Sequence, residues 1–278
     1  MQLLHLVLLA ACAAATPGQE KRPKHCPHDI ATCGVTFTAH PTASSSGSVT
    51  CASSVATPSS NARLRIEGND TEGTIFEGCI VAGPREITTA SGGTHNCDGT
   101  NGGANADPGT VPTDQLDAAS KLGEGGSFSY DAVYYDSFDD FFITRIGASA
   151  QTADQFWGIL VNGQFTPTGG CQFEVGTGDE TLFAFDAFSK EALLRVTPGY
   201  AVAEAGSGSV TVTVTDTLAG DVVAGAGFGG AYTDAEGHAT VSVPTAPGCY
   251  ELKATKTGAL RSNAFYLTVV DSFSSCRK

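Results

Sequence analysis

The sequence predicts a mainly β protein in two parts, a mixed sheet carrying one helix followed by a β-sandwich. Three observations carry this. Residues 154–188 run as apolar stretch, Asn162-Gly163 turn, second apolar stretch at Phe173 and Val175, Gly178-Asp179 turn, and a third run from Leu182 to Phe188; strand and turn alternate. One segment, Thr113–Leu122, has helical periodicity. Beyond Phe188 the alternation Val210-Thr-Val-Thr-Val-Thr215 recurs at near-regular spacing in Ala239–Val243, Tyr250–Ala254 and Phe265–Val269, the texture of a sandwich. Composition agrees: 34 Gly and 16% charged residues among 278, with a single Met, favour short strands and turns.

In chain order, residues 1–15 form an apolar run ending Ala13-x-Ala15, which reads as a signal peptide. Leu9-Ala10-Ala11-Cys12 also fits a lipobox, but the uncharged start argues against a lipid anchor. Lys21-Arg22 reads as a dibasic processing site. The signal points to a secreted, extracellular protein. No other apolar run reaches the ~20 residues of a membrane helix, so no membrane insertion is expected.

Residues 16–60 form a polar leader, with Thr42–Ser60 suited to O-glycosylation. His25, Cys26, His28 and Cys33 raise the possibility of zinc, but their spacing matches no standard site and secretion favours a disulfide. Removing Cys12 with the signal leaves eight of the nine cysteines: Cys26, Cys33, Cys51, Cys79, Cys97, Cys171, Cys249 and Cys276. An even number in an oxidising compartment reads as disulfides, with connectivity open.

Residues 61–189 are the first domain. Arg63–Glu67 alternates apolar and charged side chains, which predicts one buried and one wet face. Thr74–Val81 is its hairpin partner. Asn69 of Asn69-Asp70-Thr71, the one N-x-S/T sequon, lies in the turn between them and is the glycosylation candidate. Residues 91–110 read as a long loop. Asp98, Asn101, Asn105 and Asp107 offer oxygen atoms there, but not at calcium-loop spacing, so a turn-rich loop tied at Cys97 is preferred. The helix is expected to be capped by Thr113 and stopped by Gly123, with Leu116, Ala119 and Leu122 on its buried stripe. Strands resume at 127–135 and 141–146.

The group Trp157, Val161-Asn-Gly163, Gly169-Gly170 and Gly178-Asp179 resembles the transcobalamin C-terminal-like domain of unknown function, as it occurs in secreted fungal proteins. Arg63–Gly68, Thr74–Glu77, Asn96–Asn101 and Asp139–Ile143 extend the likeness over roughly residues 60–190. It implies a β-grasp core. The chain departs at Val111-Pro112, where the group carries another cysteine. Residues 190–278 are similar to bacterial Ig-like and carboxypeptidase-regulatory-like modules at Thr233–Gly237, Pro247-Gly248 and Arg261–Asn263; such modules are spacers or presenters.

Net charge is −14 and the sequence pI about 4.6, which disfavours nucleic acid and anionic membrane surfaces as partners. No nucleophile elbow, H-E-x-x-H, P-loop or dinucleotide fingerprint occurs, and of six His only His95 and His238 fall in the two domains, neither in a triad motif. No catalytic residue, metal or cofactor is assigned. Asp136, Asp139 and Asp140 could serve as a paired-carboxylate cluster, but a solvated turn is preferred. Trp157 could be a stacking platform, yet its apolar neighbours favour the core. The expectation is a disulfide-bonded, non-catalytic binding or adhesion protein of the cell surface or matrix, meeting a cell-wall or matrix glycan or a small ligand. The alternatives are capture of a cobalamin-like ligand, implied by the resemblance, and a carbohydrate-active enzyme using Asp136–Asp140.

Cys249 precedes one expected strand, Tyr250–Thr255, and Cys276 follows its antiparallel neighbour, Phe265–Val270, by a short tail. No other cysteine lies beyond Cys171, so a Cys249–Cys276 disulfide is expected.

Overall fold

The computed structural model describes residues 60–122 and 128–271. The expected signal segment, Lys21-Arg22, His25, His28, Cys26, Cys33, Cys51, Gly123 and Cys276 lie outside the described residues. The chain divides into two compact units, which among the described residues meet between Glu191 and Ala192. No helix among the described residues is long and apolar enough to cross a membrane.

The first unit contains β1 (Ser60–Glu67), β2 (Thr74–Ala82), β3 (Arg85–Thr89), β4 (Gly93–Cys97), α1 (Pro112–Ser120), β5 (Tyr130–Tyr135), β6 (Asp140–Ile146), β7 (Ser149–Ala150), β8 (Trp157–Val161), β9 (Gln164–Phe165) and β10 (Glu180–Phe185). A mixed sheet has the order β2-β1-β10-β8-β9, with β1 and β10 parallel at its centre. β3 and β4 form a hairpin, and β5-β6-β7 a meander. The helix packs on β2 and β3. Leu64, Ile66, Phe183, Leu116, Ile87 and Ile146, all fully buried, join these layers in one core. Burial of such side chains is worth roughly 1.5–3 kcal/mol each.

Several expectations need correction. The stretch taken as a loop from residue 91 instead begins with β4, paired with β3 in the register Arg85↔Cys97; Gly93, at φ 76°, takes the turn that admits the pairing. No strand forms at Phe173–Val175. The Gln172 and Phe173 amides fold back onto the Gly169 carbonyl, and Val175 packs with Ala62 and Val161. Thr113 is not the helix cap: Val111 is extended, Pro112 takes the first helical position, and the Val111 N–H donates to Asp114 Oδ2 at 3.2 Å. Leu122 falls past the last helical residue and is 43% exposed, so the buried stripe stops at Ala119. The charged face of β1 is not wet either. Arg65 and Glu67 are buried, tolerated because they approach each other at 3.9 Å and Thr74 Oγ1 donates to Glu67.

The second unit contains β11 (Ala192–Thr197), β12 (Tyr200–Glu204), β13 (Ser209–Asp216), β14 (Gly227–Phe228), β15 (Ala231–Tyr232), β16 (His238–Ser242), β17 (Gly248–Leu252), β18 (Ala259–Leu260) and β19 (Phe265–Val270). Sheets of order β16-β13-β11-β18 and β12-β19-β17 share one core. Alternation explains it: along β13, Val212 and Val214 point in and Thr211 and Thr213 do not. β17 and β19 are antiparallel with Cys249 opposite Thr268.

Candidate functional site

The β5–β6 hairpin builds the first wall of a cleft in the first unit. Its register pairs Tyr135 with Asp140, so residues 136–139 form the turn. Asp139 sits at φ 51°, a left-handed conformation that Asp accepts more readily than most residues. The period of two along β6 then sorts the side chains: Phe141 and Ile143 go inward, Phe142 outward.

The second wall is the segment 167–172. Three hydrogen bonds to its backbone groups hold it. Thr113 N–H donates to the Gly170 carbonyl at 3.1 Å, Gly99 N–H to the Cys171 carbonyl at 3.0 Å, and Cys171 N–H to Asp140 Oδ1 at 3.0 Å. The Cys97–Cys171 disulfide, with Cα atoms 4.7 Å apart, fixes the same segment to the end of β4. Gly169 is required here because a Cβ would overlap the Asp140 carboxylate, and one at Gly170 would overlap the Thr113 hydroxyl.

Between the walls lies a cleft of about 640 Å³, lined by Tyr135, Phe138, Asp140, Phe142, Thr168 and Gln172 among others. That volume lies within the roughly 300–1,000 Å³ of small-ligand sites. The rings are unusually free: Phe138 is 74% exposed, Tyr135 47% and Phe142 39%. Tyr135 meets both Phe138 and Phe142 with centroids 6.4 Å apart, and Phe142 meets Phe156 at 6.2 Å. Leaving four large aromatic side chains in water forgoes burial that the core elsewhere secures.

Asp140 is the polar centre. It is only 7% exposed. Its Oδ1 accepts from its neighbour Phe141 N–H at 2.7 Å as well as from Cys171, while Oδ2 is buried without a hydrogen-bond partner. Burial pushes its carboxyl up to about 6, against the pull of the two amide donors. Gln172 donates through Nε2 to the Asp139 carbonyl, and its Oε1 is likewise buried and unpartnered.

The acidic cluster is therefore divided. Asp140 lines the cleft and is buried, which corrects the expectation of a solvated turn; Asp136 and Asp139 are exposed, as that expectation held. Asp139 Oδ1 accepts from the Tyr134 hydroxyl. Among the described residues lining the cleft, Asp140 is the one carboxylate, so the pair of flanking carboxyl groups used in glycoside hydrolysis is not assembled there.

Other candidates go elsewhere. Trp157 is 6% exposed, donates from Nε1 to the Ser149 carbonyl at 3.3 Å and packs edge-on against Phe185 at 5.4 Å. It belongs to the core. His95 stacks on Tyr134 at 3.5 Å, whereas His238 lies in the second unit with Nδ1 4.0 Å from Asp234. In the loop 98–109, Asp98 Oδ1 accepts from Thr100 N–H and hydroxyl, and Asn105 Nδ2 donates to the Gly99 carbonyl at 2.6 Å; both side chains hold the loop itself. Asn101 lines the cleft. Among the described residues no group of three His, Cys, Asp or Glu side chains is gathered as for a metal. Asn69 sits in its turn with Oδ1 accepting from Thr71 and Glu72 N–H at 3.0 and 2.9 Å. Of the disulfide candidates, Cys97 and Cys171 pair with each other; Cys79 and Cys249 are also disulfide-bonded.

Sequence reasoning missed Tyr135, Phe138, Phe142, Thr168 and Gln172. The signal for the rings was present in Tyr134-Tyr-Asp-Ser-Phe-Asp-Asp-Phe-Phe142, where aromatic residues crowd a turn otherwise marked by Asp. No protein-family model matches the chain, and no curated protein matches it.

Proposed function

We propose that the chain is a secreted, disulfide-bonded, non-catalytic protein of the cell surface or matrix, whose first unit binds a ligand in the aromatic-lined cleft at Asp140. One observation carries this reading: exposed Tyr135, Phe138 and Phe142 converge with a buried, half-partnered carboxyl on one cavity. Exposed rings beside a few fixed polar groups are what ring-shaped ligands require. The cysteines and the expected signal support secretion. In this reading the first unit is a transcobalamin C-terminal-like β-grasp domain, supported by its central parallel pair and single helix. The second is an Ig-like sandwich that presents it, supported by two sheets sharing one core.

Depletion of the full secreted chain by insoluble cell-wall and matrix polysaccharides tests the binding. Retention that falls for Tyr135→Ala/Phe138→Ala supports it; no retention on any material overturns it. Turnover of polysaccharide, ester or peptide substrates overturns the non-catalytic part. The buried place of Asp140 on the cleft, with its carboxyl raised to about 6, favours one second reading, a carbohydrate-active enzyme with Asp140 as general acid and its second carboxylate from outside the lining. Turnover abolished by Asp140→Asn would establish that reading in place of the first.

A further inference from the structure

We infer that the Asp140 cleft is a subsite for a single chain of sugar units that carry no anionic group, held by the tilted rings of Phe138, Tyr135 and Phe142 over the side chains of Asp140 and Gln172. This rests on the binding reading above and names the class of ligand.

The ring geometry selects a single chain over a crystalline face. Tyr135 is inclined 71° to Phe138 and 78° to Phe142, and Phe142 is inclined 60° to Phe156. Rings at such angles share no plane, so they cannot lie together on a flat polysaccharide surface. They can take the apolar faces of successive units of one chain, each ring meeting a different unit.

The polar groups select hydroxyls. Asp140 Oδ2 and Gln172 Oε1 are both acceptors, both unpartnered, and both belong to side chains more than nine-tenths buried that line the cleft. Both are unsatisfied buried groups in the free protein; a ligand O–H that reaches them relieves that cost, and an aliphatic ligand does not. A sugar offers O–H donors at the rim of an apolar ring face, the same pairing of surfaces that the cleft presents. Thr168 and Asn101, both half-buried in the lining, add neutral groups that can donate or accept.

Charge excludes an anionic unit. Among the described residues lining the cleft none is Lys, Arg or His. Exposed Asp136 and Asp139 stand in the turn beside it, on a chain of net charge −14. A uronate or sulfated sugar would enter against that field with no cation to meet it.

The test is calorimetric titration of the full secreted chain with soluble oligosaccharides in four arms: neutral hexose, N-acetylated amino sugar, uronate, and deacetylated amino sugar. An apolar peptide of similar length is the control. We expect binding to at least one of the three arms without an anionic group, absent for the uronate arm. It should weaken at least about tenfold in Phe138→Ala. That ring is 74% exposed, and an unchanged melting temperature in the variant excludes unfolding. Binding unaffected by Phe138→Ala and by Tyr135→Ala overturns the inference, as does preference for the uronate arm or the peptide. Retention on insoluble material without binding to any of the three soluble arms lacking an anionic group overturns this inference and leaves the adhesion reading standing. Absence of both overturns both.

Discussion

The backbone N–H of Cys171 donates to Asp140 Oδ1 at 3.0 Å. This bond ties the disulfide-anchored segment 167–172 to the first residue of β6, and so joins the two walls of the cleft. Gly169 lies against the same carboxylate, with no room for a Cβ. Gly169→Ala is expected to destabilise the first unit by about 1–3 kcal/mol, the usual cost of overpacking. Ligand binding should fall with it. Denaturant unfolding and titration of the variant measure both; wild-type values in each would show that the contact does not position the carboxyl.

Asp114 gives a pH prediction. It is fully buried at the start of α1. Burial raises its carboxyl to about 8, opposed by the Val111 N–H bond and by Arg85. The folded state therefore favours the neutral acid. Its stabilising contribution is complete below the ordinary Asp pKa near 4 and is lost as pH rises through about 8. Asp114→Asn keeps an acceptor for Val111 N–H and cannot ionise. The variant's melting temperature should gain on the wild type by roughly 3 °C or more between pH 5 and pH 9. A difference that does not change with pH would show that the carboxyl is not held neutral.

The Cys97–Cys171 bridge spans 74 residues of sequence. In the chain-entropy account, closing a loop of that length contributes about 4 kcal/mol. Replacing both cysteines by Ser should lower the stability of the first unit by about that much and loosen segment 167–172, which hydrogen–deuterium exchange at Gln172 and Phe173 would report. Unchanged exchange there would contradict the anchoring role.

Much of the fold was legible because alternation and turn chemistry are local. Asn162-Gly163, the β1–β2 hairpin about Asn69, and the strands around Val212 and Leu267 follow from patterns a few residues long. What failed was decided at a distance. Segment 173–175 has the apolar residues of a strand, but its backbone is taken by the Gly169 carbonyl and by Thr110, whose carbonyl accepts from Val175 N–H at 2.7 Å. Arg65 and Glu67 look like a wet face until the sheet places them side by side. The cleft was half legible: the Asp136–Asp140 turn stood out by composition, but nothing local told Asp140 from Asp139. Burial against Gly169, some thirty positions away, makes that distinction.

Cys249 is disulfide-bonded and is the second residue of β17, the strand paired with β19, its own position opposite Thr268. Cys276 follows the end of β19 in sequence, and a Cys249–Cys276 bond is the expected pairing. Non-reducing peptide mapping should recover these two cysteines in one linked peptide. Cys249 linked instead to a cysteine before residue 172 would refute the pairing.

The most direct measurement is NMR chemical-shift mapping of the full chain with a soluble oligosaccharide free of anionic groups. The account predicts saturable shifts at Tyr135, Phe138, Phe142 and segment 168–172, with none of comparable size in residues 192–271. Shifts confined to the second unit, or no shifts at millimolar sugar, would contradict it.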